Sequence, residues 1–145
     1  MIEGSFSVRI NRSPEQVFAV LTDFERYLAR WAKGPVAARK LTAETGVGTR
    51  FTVTAKIGPF TVSSPYEVKT WEPPYRFGGS GIAGPVAFDE QYVLSPAGTG
   101  TELTQSMTAR PRGPFRIIEP VVRRQLSRLI PDDLQRLREL VEAEI

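Results

Sequence analysis

From Val36 onward the hydrophobic period of this sequence changes once, and the change dictates the architecture. From Val36 to Arg110 apolar residues recur mainly at every second position. Beyond Pro114 they recur at every third or fourth. The first spacing suits strands with one wet face and the second suits a helix with one apolar stripe, so the chain must build a sheet and then lay a helix on it.

Within the strand region, Phe51, Val53, Ala55 and Ile57 alternate with Thr52, Thr54 and Lys56, and Phe60, Val62, Tyr66 and Val68 share one phase of the next strand. Turn signals stand at Glu44-Thr45-Gly46, Gly58-Pro59, Glu72-Pro73-Pro74, Gly84-Pro85 and Pro96-Ala97-Gly98, a spacing that predicts an antiparallel meander. Pro65 cannot donate to a ladder and predicts a bulge or an edge position. Ahead of the meander, Ile2, Phe6, Val8 and Ile10 mark a first strand. Ser13-Pro14-Glu15-Gln16 then reads as an N-cap, a Pro at the first helical position and a capping box, opening a helix to about Leu21. Asp23 caps a second short helix carrying Phe24, Tyr27, Leu28 and Trp31, which Gly34-Pro35 ends.

In the last segment, Phe115, Ile118, Val122, Leu126 and Leu129 fall in one sector of a helical wheel and are expected to face the sheet. Arg116, Arg123, Arg124 and Arg128 fall opposite. Leu134, Leu137 and Val141 continue an apolar stripe past Pro131, which is expected to kink or divide the helix. No linker, repeat or low-complexity tract interrupts the 145 residues, so one domain over residues 1–145 is expected.

Two absences restrict the chemistry. Without cysteine there is neither a disulfide framework nor a thiol nucleophile. Without histidine the commonest general base and metal ligand is missing, which excludes Ser-His-Asp and Cys-His catalysis and Cys/His zinc sites. No metal or cofactor is expected. The sequence begins with an alternating strand instead of a basic leader or an apolar signal core, so the cytoplasm is the expected location, and the Asn11-Arg12-Ser13 sequon is set aside. Every long helical stretch is broken by Arg, Glu or Gln, and no transmembrane segment is expected.

Two further patterns carry bland readings. Gly79-Ser80-Gly81-Ile82-Ala83-Gly84 fits G-x-G-x-x-G, but a strand, not a helix, follows it, so a glycine-rich bend or mobile loop near the mouth of a pocket is expected instead of a nucleotide site. Arginine outnumbers lysine fifteen to four, yet the net charge is only +3 and the aromatics stand on apolar phases away from the arginines. A solvated helix face is expected, and no specific nucleic-acid recognition.

The stretches Ser13-Pro14-Glu15-Gln16-Val17-Phe18 with Leu21, Asp23 and Trp31, Gly46-Val47-Gly48-Thr49-Arg50-Phe51, Tyr66-Glu67-Val68 with Trp71-Glu72-Pro73-Pro74-Tyr75-Arg76-Phe77, and Gly100-Thr101-Glu102-Leu103-Thr104 are similar to signatures of the polyketide cyclase/dehydrase branch of the START-like, or SRPBCC, superfamily. The resemblance covers essentially the whole chain. It implies an α+β helix-grip fold, in which a curved antiparallel sheet wraps around a long C-terminal helix, with two short helices after the first strand. It also implies an apolar cavity between sheet and helix. Periodicity alone does not separate a cavity wall from a solid core, since both need inward apolar side chains.

With that cavity, the inward phases give its expected lining as Phe51, Val53, Val62, Tyr66, Phe77, Phe88, Tyr92, Met107, Phe115, Ile118 and Val122. Glu90, between Phe88 and Tyr92, and Gln105, between Leu103 and Met107, interrupt apolar phases and are expected to point inward. A buried carboxylate must be paired, hydrated or protonated. The bland alternative is a bulge that turns Glu90 outward, or a structural pair with Arg110 or Arg76. The functional expectation is binding of a small hydrophobic, lipid-like or polycyclic molecule. Its alternatives are a polyketide aromatase/cyclase or dehydratase with Glu90, Tyr66 and Tyr92 as the proton-moving groups, and a stress or regulatory protein that binds a partner.

Overall fold

The computed structural model describes residues 1–57, 59–84 and 86–144. The chain runs β1 (Ile2–Ile10), α1 (Pro14–Thr22), α2 (Phe24–Trp31), β2 (Pro35–Lys40), β3 (Arg50–Ile57), β4 (Phe60–Glu72), β5 (Arg76–Ala83), β6 (Val86–Ala97), β7 (Gly100–Pro111), a 3-10 segment (Gly113–Ile118) and α3 (Glu119–Glu144). The strands form a curved antiparallel sheet in the order β1-β7-β6-β5-β4-β3-β2. It is the helix-grip fold: a meander whose last strand pairs with the first, so that the sheet closes toward the long helix.

Local chemistry fixes the early elements. The Gln16 amide donates to Ser13 Oγ (3.3 Å) and the Ser13 amide donates to Gln16 Oε1 (3.0 Å), completing the capping box with Pro14 in the first turn. Asp23 accepts from the Arg26 amide and starts α2. Gly34, at φ 105°, takes a backbone conformation that suits glycine and turns the chain into β2. Pro65 pairs with Thr52 of β3 and lies one residue before the first described β4–β5 pair, Tyr66↔Gly81, where its missing donor costs least; the bulge of β4 falls later, between Val68 and Thr70. Gly58 and Pro85, in two of the expected turns, lie outside the described residues.

The core lies between the sheet and all three helices. Phe18, Leu21, Phe24 and Trp31 from α1 and α2 meet Phe51, Tyr66, Val68, Phe77, Tyr92, Leu94 and Leu103 from the sheet, while Ile130, Leu134, Leu137 and Val141 close it from α3. Each such side chain stabilises the fold by roughly 1.5–3 kcal/mol through removal from water.

Two expectations about the last helix need correction. Phe115 and Ile118 do not face the sheet; they belong to the 3-10 segment and are 46% and 37% exposed. A 3-10 turn holds about three residues instead of 3.6, so a wheel started at Phe115 has the wrong phase by the time α3 begins. Val122, Leu126 and Leu129 are half-buried, and the fully buried stripe runs from Ile130 to Val141. Nor does Pro131 divide the helix. α3 continues through it, because Ile130 just before the proline and Leu134, Leu137 and Val141 after it pack into the same core and outweigh one lost donor.

Candidate functional site

Four polar side chains meet inside this apolar layer. Glu90 on β6 is 8% exposed and Gln105 on β7 is 4% exposed. Tyr66 Oη donates to Glu90 Oε1 (2.9 Å), and Tyr92 Oη and Gln105 Nε2 both donate to Oε2 (3.2 Å each). Glu90 and Gln105 therefore point inward. The β6–β7 register runs unbroken through Glu90↔Met107, so no bulge turns the carboxylate out, and Arg110 pairs instead with Asp89 on the opposite face of the sheet (3.2 Å).

The three donors come from different distances. Tyr92 follows Glu90 by two residues on β6, and Gln105 sits directly opposite Tyr92 on β7. Tyr66 starts two strands from Glu90, and β5 between them would normally block the way. It does not, because Gly79 and Gly81 stand on its inward phase. A Cβ at Gly79 would fall 2.6 Å from the Tyr66 phenol oxygen and 2.5 Å from the Glu67 carbonyl oxygen; a Cβ at Gly81 would fall 2.7 Å from the Phe88 ring. Tyr66 thus lies across a strand without side chains there. Gly79-Ser80-Gly81 is neither a nucleotide loop nor the expected bend or mobile loop, but part of strand β5, and its glycines clear the path to the carboxylate. Gly79→Ala is expected to lower stability by about 1–3 kcal/mol through overpacking. Denaturant melts would read this loss, and an unchanged midpoint would contradict the close approach.

Burial dominates the electrostatics. It raises the Glu90 carboxyl from its ordinary 4.5 to about 7, while the hydrogen bonds from Tyr66, Tyr92 and Gln105 pull it down and the charge of Asp133 on α3 pushes it up. Burial, then the neighbouring Glu90 charge, raises both Tyr66 and Tyr92 well above the usual phenol value. Near neutrality Glu90 is therefore divided between acid and carboxylate, with two phenols that stay protonated. A group in that condition can accept a proton or give one. Among the described residues no group of three or more acidic side chains is placed to hold a metal ion.

Around this cluster the rings are closely packed. Phe24 of α2 lies 5.0 Å from Phe51, 5.1 Å from Tyr66 and 5.7 Å from Phe77 between centroids, and Phe77 stacks on Tyr92 at 5.9 Å. Phe24 is a hub that strand phase alone did not assign to the site; only its place on the α2 wheel points to it. Of the other expected lining residues, Phe51 and Phe77 are buried, Val53, Val62, Phe88, Met107 and Val122 are half-buried, and Phe115 and Ile118 stand exposed.

The space between β1, β7 and α3, bounded by Ile2, Gly4, Phe6, Met107, Leu126 and Ile130 among others, holds about 40 Å³, room for one or two waters and well short of the roughly 300–1,000 Å³ of a usual ligand pocket. A larger hollow of about 480 Å³ opens on the opposite, wet face of the sheet, beside Glu3, Ser5, Asp89, Gln91, Ser106 and Thr108.

Residues 1–142 match the family described as polyketide cyclase / dehydrase and lipid transport. The chain belongs to this family. Its fold is shared by solved structures of low identity: a START superfamily protein from Mycobacterium smegmatis (15% identical, 99% of each chain covered, TM-score 0.82) and a protein from Thermus thermophilus (21%, 98% of each, 0.81). The di-domain ARO/CYC BexL from the BE-7585A biosynthetic pathway is 14% identical, with 98% of this chain and 47% of that one covered and a TM-score of 0.78. At these identities the likeness establishes the fold. No curated protein matches the chain. Membership of the family supports a ligand-binding or cyclase role, and no helix among the described residues is long and apolar enough to cross a membrane.

Proposed function

We propose that this family member, acting as one domain in the cytoplasm, binds a small hydrophobic molecule, lipid-like or polycyclic, between the sheet and α3, and that Glu90 and Gln105 anchor its hydroxyl or carbonyl group. The observation that carries the reading is a buried carboxylate with three converging donors, set in an apolar face whose outer part, at Val53, Val62, Phe88 and Met107, is only partly buried. A ligand that covered these side chains would gain about 25 cal/mol for each Å² of apolar surface it removed from water. Entry would require the narrow space beside Met107 and Leu126 to widen as α3 shifts or the adaptable Met107 side chain moves. Phe51, Phe77 and Val122 complete the wall; Phe115 and Ile118 would join it only if the 3-10 segment folded inward.

The shared proton of Glu90 favours one second reading, an aromatase/cyclase or dehydratase. As a carboxylate Glu90 would take a proton from carbon beside a carbonyl, and as an acid it would return one to a departing hydroxyl, while Tyr66 or Tyr92 donated to the carbonyl oxygen.

Titration with an environment-sensitive apolar dye tests the site. Saturable binding is expected, weakened about tenfold or more by Met107→Trp and by Leu126→Trp in proteins that remain folded. Unchanged affinity in both variants would contradict a ligand at this place. If turnover exists, its loss in Glu90→Gln with binding retained would select the enzyme over the carrier.

A further inference from the structure

The charge of this chain is concentrated in one place. Residues 112–128 hold Arg112, Arg116, Arg123, Arg124 and Arg128 against Glu119 alone, a net +4, while the other fourteen basic and fifteen acidic residues leave the rest of the chain at −1. Glu119 is already engaged, by the N-terminal amine and by Arg123 at 3.7 Å. Among the described residues, Arg112, Arg116, Arg124 and Arg128 make no ion pair.

The same stretch exposes large apolar side chains: Ile117 is 86% exposed, Val121 55%, Phe115 46% and Ile118 37%. Neighbouring exposed apolar residues on a short segment mark a surface built to be covered.

We propose that the 3-10 segment and the first turns of α3 dock on an anionic phospholipid bilayer. Ile117, Phe115 and Val121 enter the boundary between headgroups and acyl chains, and the arginines meet the lipid phosphates. Guanidinium groups suit this role because their planar donors grip phosphate oxygens in pairs.

The other occupants fit less well. A second copy meeting this surface about a two-fold axis would set +4 against +4. Nucleic acid would use the arginines, but the apolar residues here are aliphatic apart from Phe115 and offer little for bases to stack on. The surface also adjoins the narrow space beside Met107, since Arg123 and Leu126 line that space. Docking would turn this mouth toward the lipid, although it does not depend on which ligand, if any, the interior holds.

Sedimentation of the full chain with vesicles tests the inference, comparing phosphatidylcholine alone with phosphatidylcholine mixed with phosphatidylglycerol. The expected result is at least tenfold tighter binding to the anionic vesicles, weakened by added salt. Ile117→Glu and Arg124→Glu should each reduce it about tenfold or more, with melting temperatures unchanged because both positions are exposed. The emission of Ile117→Trp should shift to the blue on anionic vesicles. Equal partition onto the two vesicle types, absence of binding, or binding unaffected by both substitutions would overturn the proposal. So would a concentration-dependent dimer in the unaltered protein that Ile117→Glu dissolves, or retention by RNA but not by vesicles.

Discussion

Phe77→Ala is expected to lower the unfolding free energy by about 3–5 kcal/mol, a large share of the roughly 5–15 kcal/mol that holds a domain together. Phe77 is fully buried at the centre of the aromatic layer, in edge contact with Phe18, Phe24 and Trp71 and stacked on Tyr92. Its removal takes away one ring and leaves four others facing a void that a sheet on one side and helices on the other cannot readily close. Tyr92 would lose the surface that fixes its ring, so its donation to Glu90 should weaken as well. Urea unfolding reads the first effect and the near-ultraviolet dichroism of the tyrosines reads the second. A loss below about 1 kcal/mol would mean that the layer is loosely packed and that the site does not depend on it.

The second large effect concerns pH. In the unfolded chain Glu90 should ionise near the ordinary 4.5, whereas in the folded protein it keeps its proton up to about 7. Between these values the folded state binds more protons than the unfolded state, so stability must fall as pH rises. The contribution of Glu90 is fully present below pH 4.5 and is lost as pH passes through 7, roughly 3 kcal/mol in all. Asp133, also raised by burial, acts in the same direction, while Asp89, Glu119 and Glu142, all lowered, act in the opposite one at more acid pH. Glu90→Gln isolates the effect because it removes one titration and leaves the others. The difference in stability between variant and parent should move by up to about 3 kcal/mol in favour of the variant from pH 5 to pH 8. A flat difference would show that the carboxyl is ionised throughout, solvated or compensated in a way that the buried cluster does not allow.

Periodicity carried most of the fold because each strand keeps one wet face: the inward placement of Glu90 and Gln105 follows from counting by twos from Phe88, Tyr92, Leu103 and Met107. The capping residues Ser13 and Asp23 act within three residues of themselves, so α1 and α2 were legible as well. What counting could not supply was anything set across strands. The passage of Tyr66 over Gly79 and Gly81 to Glu90 depends on the β4–β5–β6 register, and in the sequence the same glycines resemble a loop. The influence of Asp133 depends on how α3 lies over the sheet. Phe115 and Ile118 fall off the helical stripe because a 3-10 turn precedes the α-helix, a change of pitch that apolar spacing does not reveal. Nor can periodicity report volume: the same inward rings that would wall a cavity here fill much of it.

The proposed ligand, an apolar molecule held by Glu90 against this face, is open to direct test. The measurement is native mass spectrometry of the purified chain after incubation with a mixed metabolite extract, with Glu90→Gln treated in parallel. One retained small hydrophobic compound per chain, carrying a hydroxyl or carbonyl, is expected, with a marked loss of that compound in the variant under the same conditions. A chain that emerges without any retained compound, or one that holds the same compound equally well with and without the carboxylate, would contradict the proposed ligand.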